Sequence, residues 1–331
     1  MNAHPTSPKL IVPAALALAA ALCLAAAGAR AVRDRAPLRA DSPAQSRQAP
    51  AASGGESAEL RVQSLILRGS QLRYQGRYTE AEPFLREALA LAEESFGHDS
   101  LETAATLNQL GMLGKYDGHF DEAEAAYRRA LRITEQTSGL DNELAAALFH
   151  NLGGLEHARG RPAEGEPYAR RSVEIRGRLR GADHPDTAAD VAALAALLDG
   201  QGRYDEAEQL YLRALSVFER AYGPEHYEVA VNLNNLAALY HATGRAEEAE
   251  ALYLRALAVK EKLLGAEHPD VAMTLNNLAV FYKSRQKLEE AARLYRRALD
   301  IFEAALPPTH PKVTACRENY ELLLREMNHR R

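Results

Sequence analysis

Four histidines recur at one step: His184, His226, His268 and His310 stand 42 residues apart, and Pro185, Pro269 and Pro311 follow three of them. Imidazoles in register suggest a divalent-metal site. One metal needs its nitrogens at about 2 Å, whereas one histidine per 42 residues leaves neighbours about a helix pair apart. The simpler reading puts each histidine at the start of a helix. Its proline then takes the first helical position, where the missing N–H is no loss. Arginines recur at the same step, as Arg129, Arg171, Arg213, Arg255 and Arg297, in the manner of a phosphate track. The glutamates beside them and a formal net charge of −5 favour a mixed, solvated surface instead. Glu82/Arg86, Glu124/Arg128 and Glu166/Arg170 are (i, i+4) helix pairs, each worth about 0.2–0.5 kcal/mol.

Other chemistry is not written in the chain. It has no phosphate-binding glycine loop, no HExxH and no Gly-x-Ser-x-Gly elbow, and Cys316 has no evident base beside it. The two cysteines, Cys23 and Cys316, cannot build a disulfide framework, and no Cys/His group has zinc-ligand spacing. We therefore expect no enzyme, no metal and no cofactor. With 40 Lys+Arg against 45 Asp+Glu in 331 residues, the charge argues against nucleic acid as the main ligand. An apolar fraction of 47% with 26% charged residues belongs to a folded, soluble protein. Aromatics are only 6% and tryptophan is absent, so the core must use small and aliphatic side chains.

The elements that carry these residues can be read from punctuation. Gly76, Gly118, Gly160, Gly202 and Gly244, with Gln286 in the sixth place, are 42 residues apart. A second series runs Gly97, Gly139, Gly181, Gly223, Gly265 and ends at Pro307. Between the markers, shorter and longer segments alternate, all with the 3.6-residue periodicity of helices. Glycine just past a helix suits a left-handed C-terminus. The unit is a helix–turn–helix repeated six times. Small residues recur within it: Gly69, Gly111, Gly153, Ala195, Ala237, Ala279 on first helices, and Ala81, Ala123, Gly165, Ala207, Ala249, Ala291 on second helices. A third row, Ala88, Ala130, Ser172, Ala214, Ala256, Ala298, stands seven residues on. Such rows let helix axes approach closely. Leu85, Tyr127, Tyr211, Tyr253 and Tyr295, with Ala169 the exception, form a large row read as core.

Leu233, Leu236-Ala237, Tyr240, Ala249 and Tyr253 together resemble the tetratricopeptide repeat (TPR). The 42-residue length, Leu-Asn-Asn-Leu-Ala at 233–237 and 275–279, and a closing Gly-x-x-His-Pro-Asp are similar to the kinesin light chain form of that repeat. The resemblance covers about three quarters of the chain. It is weakest in the third repeat, at Gly160-Arg161-Pro162 and Ala169, and no part resembles the heavy-chain-binding coiled coil. It implies an all-α fold: a right-handed α-solenoid of six TPR repeats over residues 59–313, with a capping helix at 314–331. Arg317 and Glu321 would block a seventh repeat, which argues against open-ended polymerisation.

In such a solenoid the first helices line the concave face. One row there is Ile66, Asn108, His150, Ala192, Asn234, Asn276; another is Arg73, Lys115, His157, Asp199, His241, Lys283. Asparagine both donates to and accepts from a peptide backbone, and the second row is mostly basic or histidine. The expected site is thus an open groove in which Asn108, Asn234, Asn276, Arg73, Lys115, His157, His241 and Lys283 bind an extended, acidic peptide or a partner's tail. The plainer alternative is that the asparagines bridge neighbouring helices and the charges solvate the surface. Overall we expect a non-catalytic protein–protein interaction scaffold; the alternative is a self-associating structural element.

The N-terminus bears on location. Lys9, an apolar run at residues 10–29 and Ala27-Gly28-Ala29 have the layout of a cleaved signal peptide. The same 20 residues are long enough for a membrane anchor, and Arg30, Arg33, Arg35 and Arg39 right behind them hinder translocation of the residues beyond. Residues 30–58, rich in Pro, Ala, Arg and Ser, read as a flexible linker. The expectation is an exported protein, periplasmic or secreted, or one anchored in the inner membrane through residues 10–29.

Overall fold

The computed structural model describes residues 57–330, so the signal or anchor segment and nearly all of the linker lie outside the described residues. Within them the chain forms thirteen α-helices and no strand. The pairs are α1 (Ala58–Tyr74) with α2 (Tyr78–Phe96), α3 (Leu101–Asp117) with α4 (Phe120–Ser138), and α5 (Glu143–Ala158) with α6 (Pro162–Arg180). Then come α7 (Pro185–Asp199) with α8 (Tyr204–Tyr222), α9 (Tyr227–Ala242) with α10 (Ala246–Leu264), and α11 (Pro269–Ser284) with α12 (Leu288–Ala305). The last is α13 (Pro311–His329), which packs on α12. Each helix contacts its own partner and the next repeat, the pattern of a solenoid. Among the described residues, no helix is long and apolar enough to cross a membrane.

Local chemistry sets the helix starts. Ser57, Ser100 and Asn142 cap α1, α3 and α5 by accepting from the N–H groups of Leu60, Thr103 and Ala145. In the later repeats the histidine series takes over this role. Nδ1 of His184, His226, His268 and His310 accepts from the N–H groups of Asp186, Glu228, Asp270 and Lys312. The histidines are helix caps.

The small rows sit at the contacts they were expected to make. A Cβ on Gly111 would lie 2.5 Å from Tyr127 Cε1, and one on Gly69 would lie 2.6 Å from Leu85 Cγ. Tyr127, Tyr211, Tyr253, Tyr295 and Leu85 are fully buried. The third repeat, which lacks the large side chain at Ala169, still forms its hairpin; Leu197 of the next repeat packs where a Cβ on Gly165 would stand, 2.6 Å away. The arginine row ties outer helices to the outer helix or loop of the repeat before them. Arg129, Arg255 and Arg297 pair with Glu93, Glu219 and Glu261, each at 2.7 Å, and Arg213 donates to the Ala182 carbonyl. All three (i, i+4) Glu/Arg pairs are present.

The winding is tight enough for successive turns to touch. His268 Nε2 donates to the Tyr74 carbonyl at 2.7 Å, and His310 Nε2 to the Tyr116 carbonyl at 2.9 Å. Both bonds span 194 residues, between four and five repeats. Since Nδ1 is already an acceptor at each helix start, Nε2 is the protonated nitrogen. The turns after α1 and α3 lie against Pro269 and Pro311. A Cβ on Gly76 (φ 76°) or Gly118 (φ 85°) would come within 2.9 Å of those proline rings, so these glycines serve both the turn and the close approach. Leu72, Tyr78, Leu85 and Leu113 join one apolar cluster with residues of α11, α12 and α13.

Candidate functional site

The odd-numbered helices α1 to α13 form the inner wall, as expected, but the wall is not an open groove. α9 buries every residue from Tyr227 to Tyr240, and α7 and α11 are buried almost as completely. Asn234 and Asn276 have 0% exposure, Asn108 2%, Lys115 3% and Arg73 6%. His150 and Ala192, expected to be exposed, are buried too. This corrects the expected open channel. These residues are covered, and the tight superhelix brings the ends of α1 and α3 against the starts of α9, α11 and α13.

The asparagine row does structural work. Asn108 Oδ1 accepts from Asn151 Nδ2 at 2.8 Å, and Asn276 Oδ1 from Asn319 Nδ2 at 3.4 Å, each across adjacent repeats. Asn234 donates to Asn235 and Asn276 to Asn277, both at 3.4 Å. A companion row, Asn151, Asn235, Asn277 and Asn319, thus shares the ladder. The signal for this row in the sequence is the doubled Asn of the Leu-Asn-Asn-Leu motif, of which only the first was assigned to the site. Bridging of neighbouring helices is what Asn108 and Asn276 are seen to do. Asn234 Oδ1 and Asn277 Nδ2 stay buried without a hydrogen-bond partner among the described residues. His150 Nδ1 meets Asp190 Oδ1 at 2.6 Å, and Arg176 adds an ion pair to the same carboxylate at 3.2 Å.

The basic row splits in two. Arg73 and Lys115, in the last turns of α1 and α3, come together around Tyr116. Arg73 Cζ lies 5.5 Å and Lys115 Nζ 5.2 Å from that ring's centroid. Lys115 Nζ and Arg73 Nε are buried and have no hydrogen-bond partner among the described residues. Burial, with Arg73 and Lys312 nearby, lowers the Lys115 pKa to about 7. The half-buried His157 adjoins this group; its pKa falls to about 4 through burial and the charge on Lys115. Lys283 lies elsewhere, 3.8 Å from Glu326 of α13. His241 packs edge-on against Phe281, and its Nδ1 is unpartnered among the described residues. Asp199, the one acid in the row, has its pKa pushed up to about 7 by burial.

One cation escaped the sequence reading. Lys312, in the first turn of α13, brings its Nζ to 5.6 Å from the Tyr116 centroid. Only the superhelical turn shows this, because Lys312 is far from Arg73 and Lys115 in the chain. Cys316 is buried, and burial pushes its thiol up to about 12, unlike a nucleophile's. A cleft of about 270 Å³ between α2, α3 and α4, lined by Leu89, Leu107, Leu110 and Leu113, contains none of the eight expected residues.

The tetratricopeptide repeat family profile matches residues 60–136, 144–220, 188–262, 228–304 and 270–330. The fold is similar to the crystal structure of BtubC (BKLC) from P. vanneervenii, at 24% identity over 73% of this chain and 91% of that one, with a TM-score of 0.50. It is also similar to NprR in complex with its cognate peptide NprX: 14% identity, 82% of this chain, 73% of that one, TM-score 0.60. A Rap protein complexed with Competence and Sporulation Factor matches at 16% identity over 83% and 78% of the two chains, TM-score 0.55. At such identities the likeness is one of fold. No curated protein matches the chain. A profile that spans most of residues 60–330, laid over hairpins that each repeat the small-residue contacts, makes this chain a member of the tetratricopeptide repeat family.

Proposed function

We propose that the chain is a non-catalytic protein–protein interaction scaffold whose inner wall takes an extended, acidic segment of a partner. The observation that carries this reading is the unpartnered charge on that wall: Lys115 Nζ and Arg73 Nε, buried with no acceptor among the described residues. A buried cation without a partner is costly, and a carboxylate from outside would relieve it. His157 beside Lys115 and the unpartnered Asn234 Oδ1 and His241 Nδ1 extend the polar surface along the same wall. Asn108 and Asn276 then hold the wall in shape, since their side-chain bonds are made between repeats. Lys283 contributes on release from Glu326. Two solenoids of this fold, NprR and the Rap protein, were crystallised as complexes, the first with a peptide. Because the wall is covered, the segment enters where the two histidine–carbonyl bonds join successive turns, once these part.

Fluorescence anisotropy of labelled peptides tests this. A glutamate-rich peptide should bind, and its binding should weaken from 50 to 300 mM NaCl as screening increases. Equal binding of an uncharged Gly/Ser peptide, or no binding of the acidic one, would overturn the reading. We further propose that the protein works outside the cytoplasm, exported or held by residues 10–29, on the strength of that apolar stretch. The N-terminal mass in soluble and membrane fractions distinguishes cleavage from anchoring.

A further inference from the structure

The first turn of each later inner helix carries an acid, Asp186 in α7, Glu228 in α9 and Asp270 in α11, until Lys312 takes that position in α13. A carboxylate suits the positive end of a helix dipole and an ammonium does not. The exchange therefore breaks a local rule, and the first turn of α13 holds no acid to offset it. The side chain instead reaches the cluster formed by the first two repeats. Arg73 Cζ, Lys115 Nζ and Lys312 Nζ lie 5.5, 5.2 and 5.6 Å from the centroid of the Tyr116 ring. Both ammonium nitrogens and Arg73 Nε are buried without a hydrogen-bond partner among the described residues. No carboxylate of the described residues comes within ion-pair distance of any of the three; Asp270 acts on Lys312 only through space, and its own Oδ2 accepts from the Tyr227 hydroxyl at 2.5 Å. One ring has two faces and cannot serve three cations.

We propose that Arg73, Lys115 and Lys312 form a seat for one oxyanion, a carboxylate or a phosphate group, which joins the first two repeats to the last helix and holds the superhelical turn shut. Where the anion is a partner's carboxylate, this rests on the interaction reading above; the seat itself does not require it. The ligand binds the wound chain alone, since unfolding separates Lys312 from the other two, so it must stabilise the fold by mass action.

Thermal unfolding of the full chain in sodium phosphate, against sodium chloride of matched ionic strength, is the test. Phosphate should raise the midpoint in a saturable way. Lys312→Gln and Lys115→Gln should each weaken that response at least tenfold in phosphate concentration. In chloride both variants should be as stable as the native chain or more so, because each removes one of three mutually repelling charges. Lys115→Arg should keep the response, as should Lys262→Gln, which alters an exposed outer pair with Glu225. An equal phosphate response in native chain and Lys312→Gln would overturn the seat. So would a native chain that phosphate leaves unchanged, combined with unaltered acidic-peptide affinity in Lys312→Gln; the interaction reading would then survive alone. A phosphate response lost in Lys312→Gln, with no acidic peptide bound, would keep the seat, identify a free anion as its ligand and remove the interaction reading.

Discussion

A lysine in water keeps its proton to about pH 10.4, whereas burial and the charges of Arg73 and Lys312 bring Lys115 down to about 7. Between those values the unfolded chain holds a proton that the folded chain releases. Stability therefore rises with pH in this window, by at most about 1.4 kcal/mol per unit. Relative to Lys115→Met, the native chain should gain stability between pH 7 and pH 9 in denaturant titrations, and parallel profiles would contradict this. Lys115 and Arg73 are placed on the inner face through the resemblance to the tetratricopeptide repeat, whose first helices line that face. In the sequence Lys312 stands out only as the basic exception in the row Asp186, Glu228, Asp270; its approach to Tyr116 comes from a turn four to five repeats away. The histidines were half legible. Their place at helix starts could be read from His-Pro, but the second ring nitrogen of His268 and His310 bonds a carbonyl 194 residues distant.

At the scale of the element, nearly everything was readable. The glycine series marked the turns, and the structure puts those glycines at positive φ, with Gln286 at φ 62° in the sixth place. Small residues marked the helix contacts, and Gly111 is the sharpest case because its missing side chain is where Tyr127 lies. Gly111→Ala should destabilise the chain by about 1–3 kcal/mol through overpacking. Alanine's better helix propensity, about 1 kcal/mol, works against this only in part. Chemical denaturation at constant m-value checks it; an unchanged or higher midpoint would mean that Tyr127 can move aside. The outer arginines were read as solvated, and their bonds to the preceding repeat lay beyond reach because the repeat register does not reveal which loop carbonyl or glutamate of a neighbour is near.

The shape of the whole molecule was the least legible. A solenoid's pitch accumulates from a small rotation at each repeat, and no single residue states it. The expected open groove assumed a wide superhelix. In the tight one, Asn234 and Asn276 are fully covered and the last helix meets the first two repeats. This closure changes the binding account from a groove always open to an inner wall reached when turns part. Zero-length carbodiimide coupling of a glutamate-rich peptide to the full chain, read by mass spectrometry, tests that account most directly, since it joins a carboxylate only to an amine it touches. The expected result is coupling at Lys115 or Lys312, lost when free phosphate competes. Coupling confined to Lys262 of α10 and Lys287 in the turn before α12, whose side chains are exposed, would contradict it.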